Sequence, residues 1–504
     1  MSEDQAPIQR IVGGAVRYIG STYAARIVNN IVYVLLLNLL IPAEFGKIVF
    51  AISILVMIVS LRDLGLHYAL LHNHDRVDEF APTHFILSTL LGAISTLFAF
   101  AFAFFYNDVI AAFTSLPFGI QTPEPLEPIV AIGIAVFAGV DFLRTAALTA
   151  DTQLRRDLEF GRLALAHASA TIVAALVGLA IAYMGGGSWA LIFGFFPNCV
   201  SYVVVYCAIV WLKRPPPLAR LGEFDRDAAR EMLRYGLWYY AGGVSKGFIL
   251  HYDKLIVGAW LSLDTLGLYS QAHAFSQIPT GAITMAIVSI TGAVYARYQK
   301  DHDQLSAAFR RTLRLILRTT IPISLILILE ADGWIRLFKP EWVPAAPILQ
   351  WLILYSLCRP ILDDLNALLL GVGAPRNIVV FITTQAGILL LLAPILTWKL
   401  GIFGTAMGMN IMAVVGLVLA IRASRKFVTF PLARTFVPPI LAGCSGVALR
   451  LMASSFLEPL PVWAEVIGGA TLFTICYGAT LLAIERAALL NEINTVWNAL
   501  RKVR

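Results

Sequence analysis

The stretch IVGGAVRYIGSTYAARIVNNIVYVLLLNLLI, residues 11–41, contains enough apolar residues to cross a bilayer as one helix. It carries an arginine, Arg26, near its middle. A charge at that depth costs roughly 2.5–3.5 kcal/mol on insertion scales, so it normally faces protein or a water-filled cavity. Residues three or four positions apart lie on the same face of a helix. Arg26 therefore shares a face with Thr22, Tyr23, Asn29, Asn30 and Tyr33. The stretch therefore predicts a membrane-spanning helix with a cationic, amide-rich face.

The rest of the chain repeats this apolar pattern. Of its 504 residues 59% are hydrophobic and 14% are charged, which excludes an ordinary soluble domain. Long apolar runs separated by short polar breaks predict an all-α, polytopic integral membrane protein with about 14 transmembrane helices. We place the spans at about 13–40, 45–67, 82–106, 128–150, 163–184, 188–212, 235–260, 266–294, 313–330, 346–370, 377–398, 401–421, 435–454 and 463–485.

The net charge of +7 follows membrane topology. With the N-terminus in the cytoplasm, most of the 38 lysines and arginines fall in loops after even-numbered spans. The predicted outer loops contain only Lys47, Arg336, Lys339 and Lys399. This asymmetry predicts a multi-pass protein with both termini in the cytoplasm, and we expect no nucleic-acid partner.

Short turns indicate an internal duplication. LLIPAEFG (39–46) corresponds to WLSLDTLG (260–267), and GGGSWA (185–190) corresponds to GIFGTA (401–406). Repeats that share one membrane orientation are typical of transporters, with the site near the midplane between the repeats. We therefore predict two six-helix repeat lobes and two additional C-terminal helices. The predicted boundaries are 1–212 (N-terminal lobe), 213–231 (cytoplasmic linker), 232–425 (C-terminal lobe) and 426–504 (two helices and a cytoplasmic tail).

A second cation lies near the middle of the seventh span, where the repeat places the counterpart of Arg26. This residue, Lys246, shares a helix face with Tyr235, Tyr239, Gly242 and Asp253. Phosphate or pyrophosphate is a natural partner, because charge-assisted bonds to Arg and Lys are strong where water is scarce. The alternative is that each cation pairs with a carboxylate of the protein.

The fourth and tenth spans correspond under the repeat, and both carry opposite charges. Asp141 and Arg144 are three residues apart, and Arg359 and Asp363 are four apart, so each pair can close on its own helix. Such pairs reduce the cost of insertion. The alternative is that a carboxylate exchanges a proton or Na⁺ during transport, with Asp141, Asp253 and Asp363 as the candidates.

Two local features carry further expectations. Pro360 predicts a disturbed helix in the tenth span, because proline removes a backbone donor. FDRDAAREMLRYG (224–236) predicts an amphipathic helix along the membrane surface.

Six stretches carry a family resemblance in the right order and spacing. They are IPAEFGKIVFAISI with LRDLGL (41–66), LRRDLEFGRLAL (154–165), FDRDAAREMLRYGL (224–237), DKLIVGAWLSLDTLGLYSQAHAF (253–275), ARYQKD (296–301) and EWVPAAPILQWLILYSLCRPI (341–361). The chain resembles a Wzx-type polysaccharide flippase, of the polysaccharide transporter family in the multidrug/oligosaccharidyl-lipid/polysaccharide (MOP) superfamily. It departs from many such relatives at Asn38, where they carry an arginine.

The resemblance implies a function and a set of partners. It implies translocation of an undecaprenyl-pyrophosphate-linked oligosaccharide across the bacterial inner membrane, among membrane lipids. A polysaccharide polymerase and chain-length or export machinery are the further partners that it implies. Together with the charges above, the substrate-binding candidates are Arg26, Lys246, Asn29, Asn30, Tyr33, Tyr239, Arg144 and Arg359.

Signatures of chemistry are absent from the sequence. There is no GxxxxGK[ST] loop, nucleophile elbow, HExxH or paired CxxC motif, so we expect no catalytic residue, metal or cofactor, and no enzyme. A cation-coupled multidrug exporter and a flippase for a peptidoglycan precursor remain as alternatives within the superfamily. A membrane polymerase or glycosyltransferase is the alternative outside it.

Overall fold

The structure is a computed structural model that describes residues 28, 31–62, 64–66, 69–70, 76–114, 127–156, 160–195, 204–205, 223–278 and 285–503. Within those ranges all regular secondary structure is helical, which confirms the predicted all-α class. Nine helices of this part are long and apolar enough to cross a membrane, or ten if one bent pair counts as a span. The chain is therefore a multi-pass membrane protein, whereas the count of about 14 spans stays a prediction.

The described helices form two compact units, divided between Gly267 and Leu268. The first contains residues 31–39 and α1 (Pro42–Arg62), α2 (Val77–Thr114), α3 (Pro128–Arg156), α4 (Phe160–Tyr183), α5 (Trp189–Phe195) and α6 (Arg226–Trp260). Helix α7 (Leu263–Ser276) crosses the division. The second unit contains α8 (Met285–Tyr298), α9 (His302–Leu329), α10 (Ala331–Arg336), α11 (Ala345–Trp351), α12 (Ile353–Gly371), α13 (Pro375–Leu400), α14 (Ile402–Ser424), α15 (Leu432–Met452), α16 (Ser454–Leu457) and α17 (Val462–Val503). The lobe boundaries rest on the sequence repeat and stay predictions.

Several observed helices begin and end close to the predicted spans, whereas others, such as α9 and α17, extend well beyond them. Helices α13 and α14, for example, coincide within a few residues with the spans predicted at 377–398 and 401–421. The agreement has a physical cause, because a segment in lipid must satisfy all of its backbone hydrogen bonds internally. Each apolar run therefore favours a helix at least long enough to span the hydrocarbon core.

The tenth span is broken at Leu352, so the expected disturbance at Pro360 was wrong. The helical segments on either side, α11 and α12, belong to a pair bent by 57°. The Asn410 side chain of α14 satisfies the freed backbone groups. Its Nδ2 donates to the carbonyl of Trp351 at 2.5 Å, and its Oδ1 accepts from the amide of Tyr355 at 2.9 Å. Pro360 lies inside the continuous helix α12.

The helix predicted along the membrane surface at 224–236 is helical, but it forms the first turns of α6, which continues into the seventh predicted span. The Asp225 side chain caps α6 by accepting from the amide of Asp227 at 2.8 Å. Its 35 residues span about 52 Å at 1.5 Å each, more than a hydrocarbon core of about 30 Å. Met232 packs with Phe80 of α2 and Leu66 in a small buried core. Apolar packing therefore holds these first turns against the protein.

A reciprocal contact joins the two turns that the repeat aligns. A Cβ on Gly46 would overlap the carbonyl of Leu263, and a Cβ on Gly267 would overlap the carbonyl of Pro42. In the aligned turns Gly46 matches Gly267, and Pro42 matches Leu263. Each turn thus uses its glycine to approach the same position of the other, as two symmetric copies do. This symmetry supports the duplication.

Two ion pairs hold the last long helices against α9. Arg450 of α15 binds Glu330, at the end of α9, with 2.5 Å between Nε and Oε1. Arg318 of α9 donates from Nε and Nη2 to Oε2 of Glu485, at 3.0 and 2.7 Å. Removing one partner of a buried pair is strongly destabilising because it leaves an uncompensated charge. The pairs therefore fix how α15 and α17 pack on α9.

Candidate functional site

Part of the predicted cationic face lies outside the described residues. This applies to Arg26, Asn29 and Asn30, and also to the side chain of Tyr239. Their contact with substrate stays a prediction.

Lys246 and Tyr33 belong to the same predicted site, and the structure describes their side chains. Lys246 is exposed, and the adjacent Gly247 packs closely against Ser60 of α1. Within the described part of the chain, no carboxylate lies within 4.0 Å of the Lys246 ammonium. Tyr33 is half-buried, with its ring edge-on to Phe45 and 5.9 Å between the ring centroids. Lys246 therefore remains available to an anion.

A cluster of two arginines and one aspartate lies inside the first unit. Arg62 of α1 donates to Asp141 of α3, and its other terminal nitrogen donates to Ser95 Oγ at 2.7 Å. Arg144 donates from Nε to the second oxygen of Asp141 at 2.8 Å. The predicted pair of Asp141 and Arg144 thus closes on its own helix, and Arg62 completes it. We call Arg62, Asp141 and Arg144 the arginine cluster.

In the arginine cluster, two guanidinium groups bind one carboxylate, that of Asp141. The side chains of Arg62 and Asp141 are only 10% and 13% exposed, whereas that of Arg144 is 48% exposed. Arg144 is therefore the member that a ligand can reach. Sequence spacing did not identify Arg62 as a member, since its partner lies 79 residues away.

Asp253, a candidate for ion coupling, is fully buried in α6. The ammonium of the adjacent Lys254 lies 3.4 Å from each of its carboxylate oxygens. Lys254 also donates to the carbonyl of Leu250 at 2.8 Å. The charge of Asp253 is thus compensated locally in this conformation.

Arg359 and Asp363 form the predicted pair in α12, with 3.6 Å between Nε and Oδ1. Their side chains are 22% and 29% exposed, so the pair is partly accessible. Its geometry fits a self-neutralised pair that lowers the cost of placing charge in a membrane span.

The next residue, Asp364, has a different environment and was not predicted as a site. It is fully buried, and its Oδ1 accepts from the hydroxyl of Tyr295 at 2.9 Å and weakly from that of Thr291 at 3.5 Å. Its other carboxyl oxygen has no hydrogen-bond partner. Asp364 is therefore a buried carboxyl group bound only by hydroxyls.

Among the described residues, no three or more His, Cys, Asp or Glu side chains are grouped to hold a metal ion. The chemistry that the described site residues offer is anion binding by guanidinium and ammonium groups, and proton binding by carboxyl groups.

Comparison with known proteins supplies the family. A family model described as "Polysaccharide biosynthesis protein" matches residues 35–347. The teichuronic acid biosynthesis protein TuaB of Bacillus subtilis (strain 168) is 20% identical over 171 residues, 34% of this chain and 35% of that protein. The succinoglycan biosynthesis transport protein ExoT of Rhizobium meliloti (strain 1021) is 21% identical over 321 residues, which are 64% of this chain and 61% of that protein. The chain thus matches less than two thirds of the length of each relative.

Solved structures supply the fold. The lipid II flippase MurJ, in an inward closed conformation, matches with a TM-score of 0.74 at 13% identity, over 94% of this chain and 100% of that one. An inward-facing multidrug resistance transporter of the MATE family, in the MOP superfamily, matches with a TM-score of 0.59 at 15% identity. The match covers 79% of this chain and 94% of that one. The resemblance seen in the sequence is therefore confirmed at the level of fold and family. With more than half of its length matched by the family model, the chain belongs to the polysaccharide biosynthesis protein family and has the fold of MOP-superfamily transporters.

Proposed function

We propose that this chain is a flippase for an oligosaccharide linked to undecaprenyl pyrophosphate. It carries this lipid by alternating access from the cytoplasmic to the outer leaflet of the bacterial inner membrane, with both of its own termini in the cytoplasm. The product serves exopolysaccharide, capsule or O-antigen synthesis, and polymerase and chain-length or export machinery act next. Family membership supports this proposal. The observation that carries it is the arginine cluster within apolar helices, with the Arg144 side chain half-exposed.

A pyrophosphate matches the chemistry of the arginine cluster. Guanidinium groups bind phosphate oxygens through two parallel hydrogen bonds, and hydrogen bonds to charged groups contribute about 1.5–3 kcal/mol each. Asp141 lies between the two guanidinium groups of the cluster, and the half-exposed Arg144 is the one that an anion can reach. Lys246 adds a second cation without a described carboxylate partner. A cationic drug would be repelled by these groups, so they favour the lipid pyrophosphate over a multidrug substrate.

Reconstituted vesicles test the substrate class. Two lipids would be compared that share the oligosaccharide and the isoprenoid tail, one with a pyrophosphate linkage and one with an uncharged linkage. We expect the wild-type protein to translocate the pyrophosphate lipid at least tenfold faster, since the loss of one charge-assisted bond costs more than 1.4 kcal/mol. Equal rates for the two lipids would show that the anion is not recognised.

A double variant tests the predicted midplane cations. Arg26→Ala with Lys246→Ala should lose translocation of the pyrophosphate lipid. The matched control is Arg76→Ala, because Arg76 is exposed and pairs with Glu79 at 2.7 Å near the start of α2. Wild-type translocation by the double variant would contradict a role for these two cations.

A further inference from the structure

Asp364 lies where an ionised carboxylate has no charge partner. Within the described part of the chain, no lysine, arginine or histidine comes within 4.0 Å of it. The hydroxyls of Tyr295 and Thr291, both on α8, are its hydrogen-bond donors, and both reach the same oxygen. Its second oxygen is buried without a partner. An ionised carboxylate needs hydrogen-bond donors at both of its oxygens, whereas this site offers donors to only one oxygen of Asp364.

The charged groups near Asp364 do not supply a counterion. Asp363, the preceding residue, acts on it with a like charge, and Asp363 is itself bound to Arg359. From α8 the titratable group that faces Asp364 is Tyr295, whose hydroxyl also interacts with Thr312 of α9. Helices α11, α13 and α14 bring no ionisable side chain within bonding distance among the described residues. Among the described residues, no cation within bonding distance compensates a charge on Asp364.

The free-energy balance favours the neutral acid. Burying an unpaired carboxylate costs several kcal/mol even after relaxation, whereas a buried hydroxyl without a partner costs about 1–3 kcal/mol. In the neutral acid, Oδ1 is the carbonyl oxygen that accepts from Tyr295, and Oδ2 carries the proton. This assignment matches the observed pattern of one bonded and one unbonded oxygen.

We propose that Asp364 is a proton-binding site that couples proton movement to transport. In the described conformation the carboxyl group holds a proton on Oδ2. When the second unit rearranges and admits water, the O–H bond breaks, the proton passes to water, and the carboxylate keeps the donors Tyr295 and Thr291. Asp364 lies seven residues before Gly371, the last residue of α12, or about 10 Å along the helix. The coupling rests on the proposed flippase function, whereas the proton site does not.

Infrared difference spectroscopy tests the proton site without any transport assay. The protein in lipid nanodiscs at neutral pH should show a carbonyl band of a protonated carboxylic acid. We expect Asp364→Asn to remove that band, Asp363→Asn to retain it, and Tyr295→Phe to shift it to higher frequency through loss of the hydrogen bond. An identical spectrum in this region for wild type and Asp364→Asn would overturn the proposal. So would a band that appears only when Na⁺ is removed, because the site would then hold a metal cation.

A transport measurement tests the coupling separately. In vesicles, translocation by the wild type should speed up under a pH gradient. Asp364→Asn should lose that acceleration, while Asp332→Asn, which alters a half-exposed carboxylate paired with Arg336, keeps it. Acceleration that persists in Asp364→Asn would overturn the coupling. If the wild type translocates no pyrophosphate lipid while Asp364→Asn still removes the infrared band, the flippase proposal fails and the proton site stands.

Discussion

Asp141 in the first unit, 13% exposed, and Asp364 in the second, fully buried, are aspartates with opposite surroundings. Asp141 lies between the guanidinium groups of Arg62 and Arg144. Asp364 lies against the hydroxyls of Tyr295 and Thr291, and no cation is within bonding distance in the described part of the chain. Their helices, α3 and α12, belong to spans that correspond in the sequence repeat. The same residue type therefore acts as a counterion in one repeat and as a neutral acid in the other.

The difference shows that neighbouring side chains decide what a carboxyl group does in a membrane span. Two cations bind Asp141, and the more exposed of them, Arg144, can also meet an anion. Hydroxyl donors alone favour a protonated Asp364, which is then free to exchange its proton. A duplicated fold can thus divide anion binding and proton binding between its two copies. Exchanging each aspartate for its neutral analogue separates the two roles.

The largest expected effect is on the stability of Asp141→Asn. This variant removes the carboxylate that Arg62, 10% exposed, binds, and breaking a buried pair in this way costs about 3–5 kcal/mol. Asp364→Asn resembles the neutral acid, so we expect it to cost only about 1 kcal/mol. The measurement is the free energy of unfolding in mixed SDS and detergent micelles. Equal losses of unfolding free energy for the two variants would contradict the different roles of Asp141 and Asp364.

A smaller effect is expected for Tyr295→Phe, which removes the stronger donor to Asp364. Loss of a hydrogen bond between neutral groups should lower the free energy of unfolding by about 1–2 kcal/mol. In a double-mutant cycle with Asp364→Leu, which removes the acceptor, the two losses should be non-additive, because the side chains share one bond. Thr319→Val is a matched control, since the Thr319 hydroxyl is bonded only to the backbone of its own helix in the described structure. Strict additivity in the cycle would argue that the bond contributes nothing.

The sequence could predict the helices better than the contacts between them. Hydropathy located most spans, because lipid requires long, internally bonded helices. The break at Leu352 was not predictable, since the side chain that stabilises it, Asn410, lies 59 residues from the carbonyl it binds. Spacing identified Asp363 through its partner Arg359 on the same helix, whereas the donor to Asp364 is 69 residues away. Local patterns therefore identify pairs within one helix and miss those between helices.

The smallest expected effect on stability belongs to Arg144→Gln. Arg144 is 48% exposed, and Asp141 keeps its bond to Arg62, so the loss in the free energy of unfolding should be less than about 1 kcal/mol. A thermal unfolding curve close to that of the wild type would show this. A large loss would instead make Arg144 a structural member of the arginine cluster.

The most direct test of the central claim, that these cations hold the pyrophosphate of a lipid-linked oligosaccharide, is translocation by Arg144→Gln with Lys246→Gln in reconstituted vesicles. The account predicts at least a tenfold slower translocation of the pyrophosphate lipid, equivalent to about 1.4 kcal/mol, with little change in thermal stability. Arg76→Gln, which alters an exposed arginine outside the apolar span, should translocate at the wild-type rate. Wild-type translocation by the double variant would contradict the account.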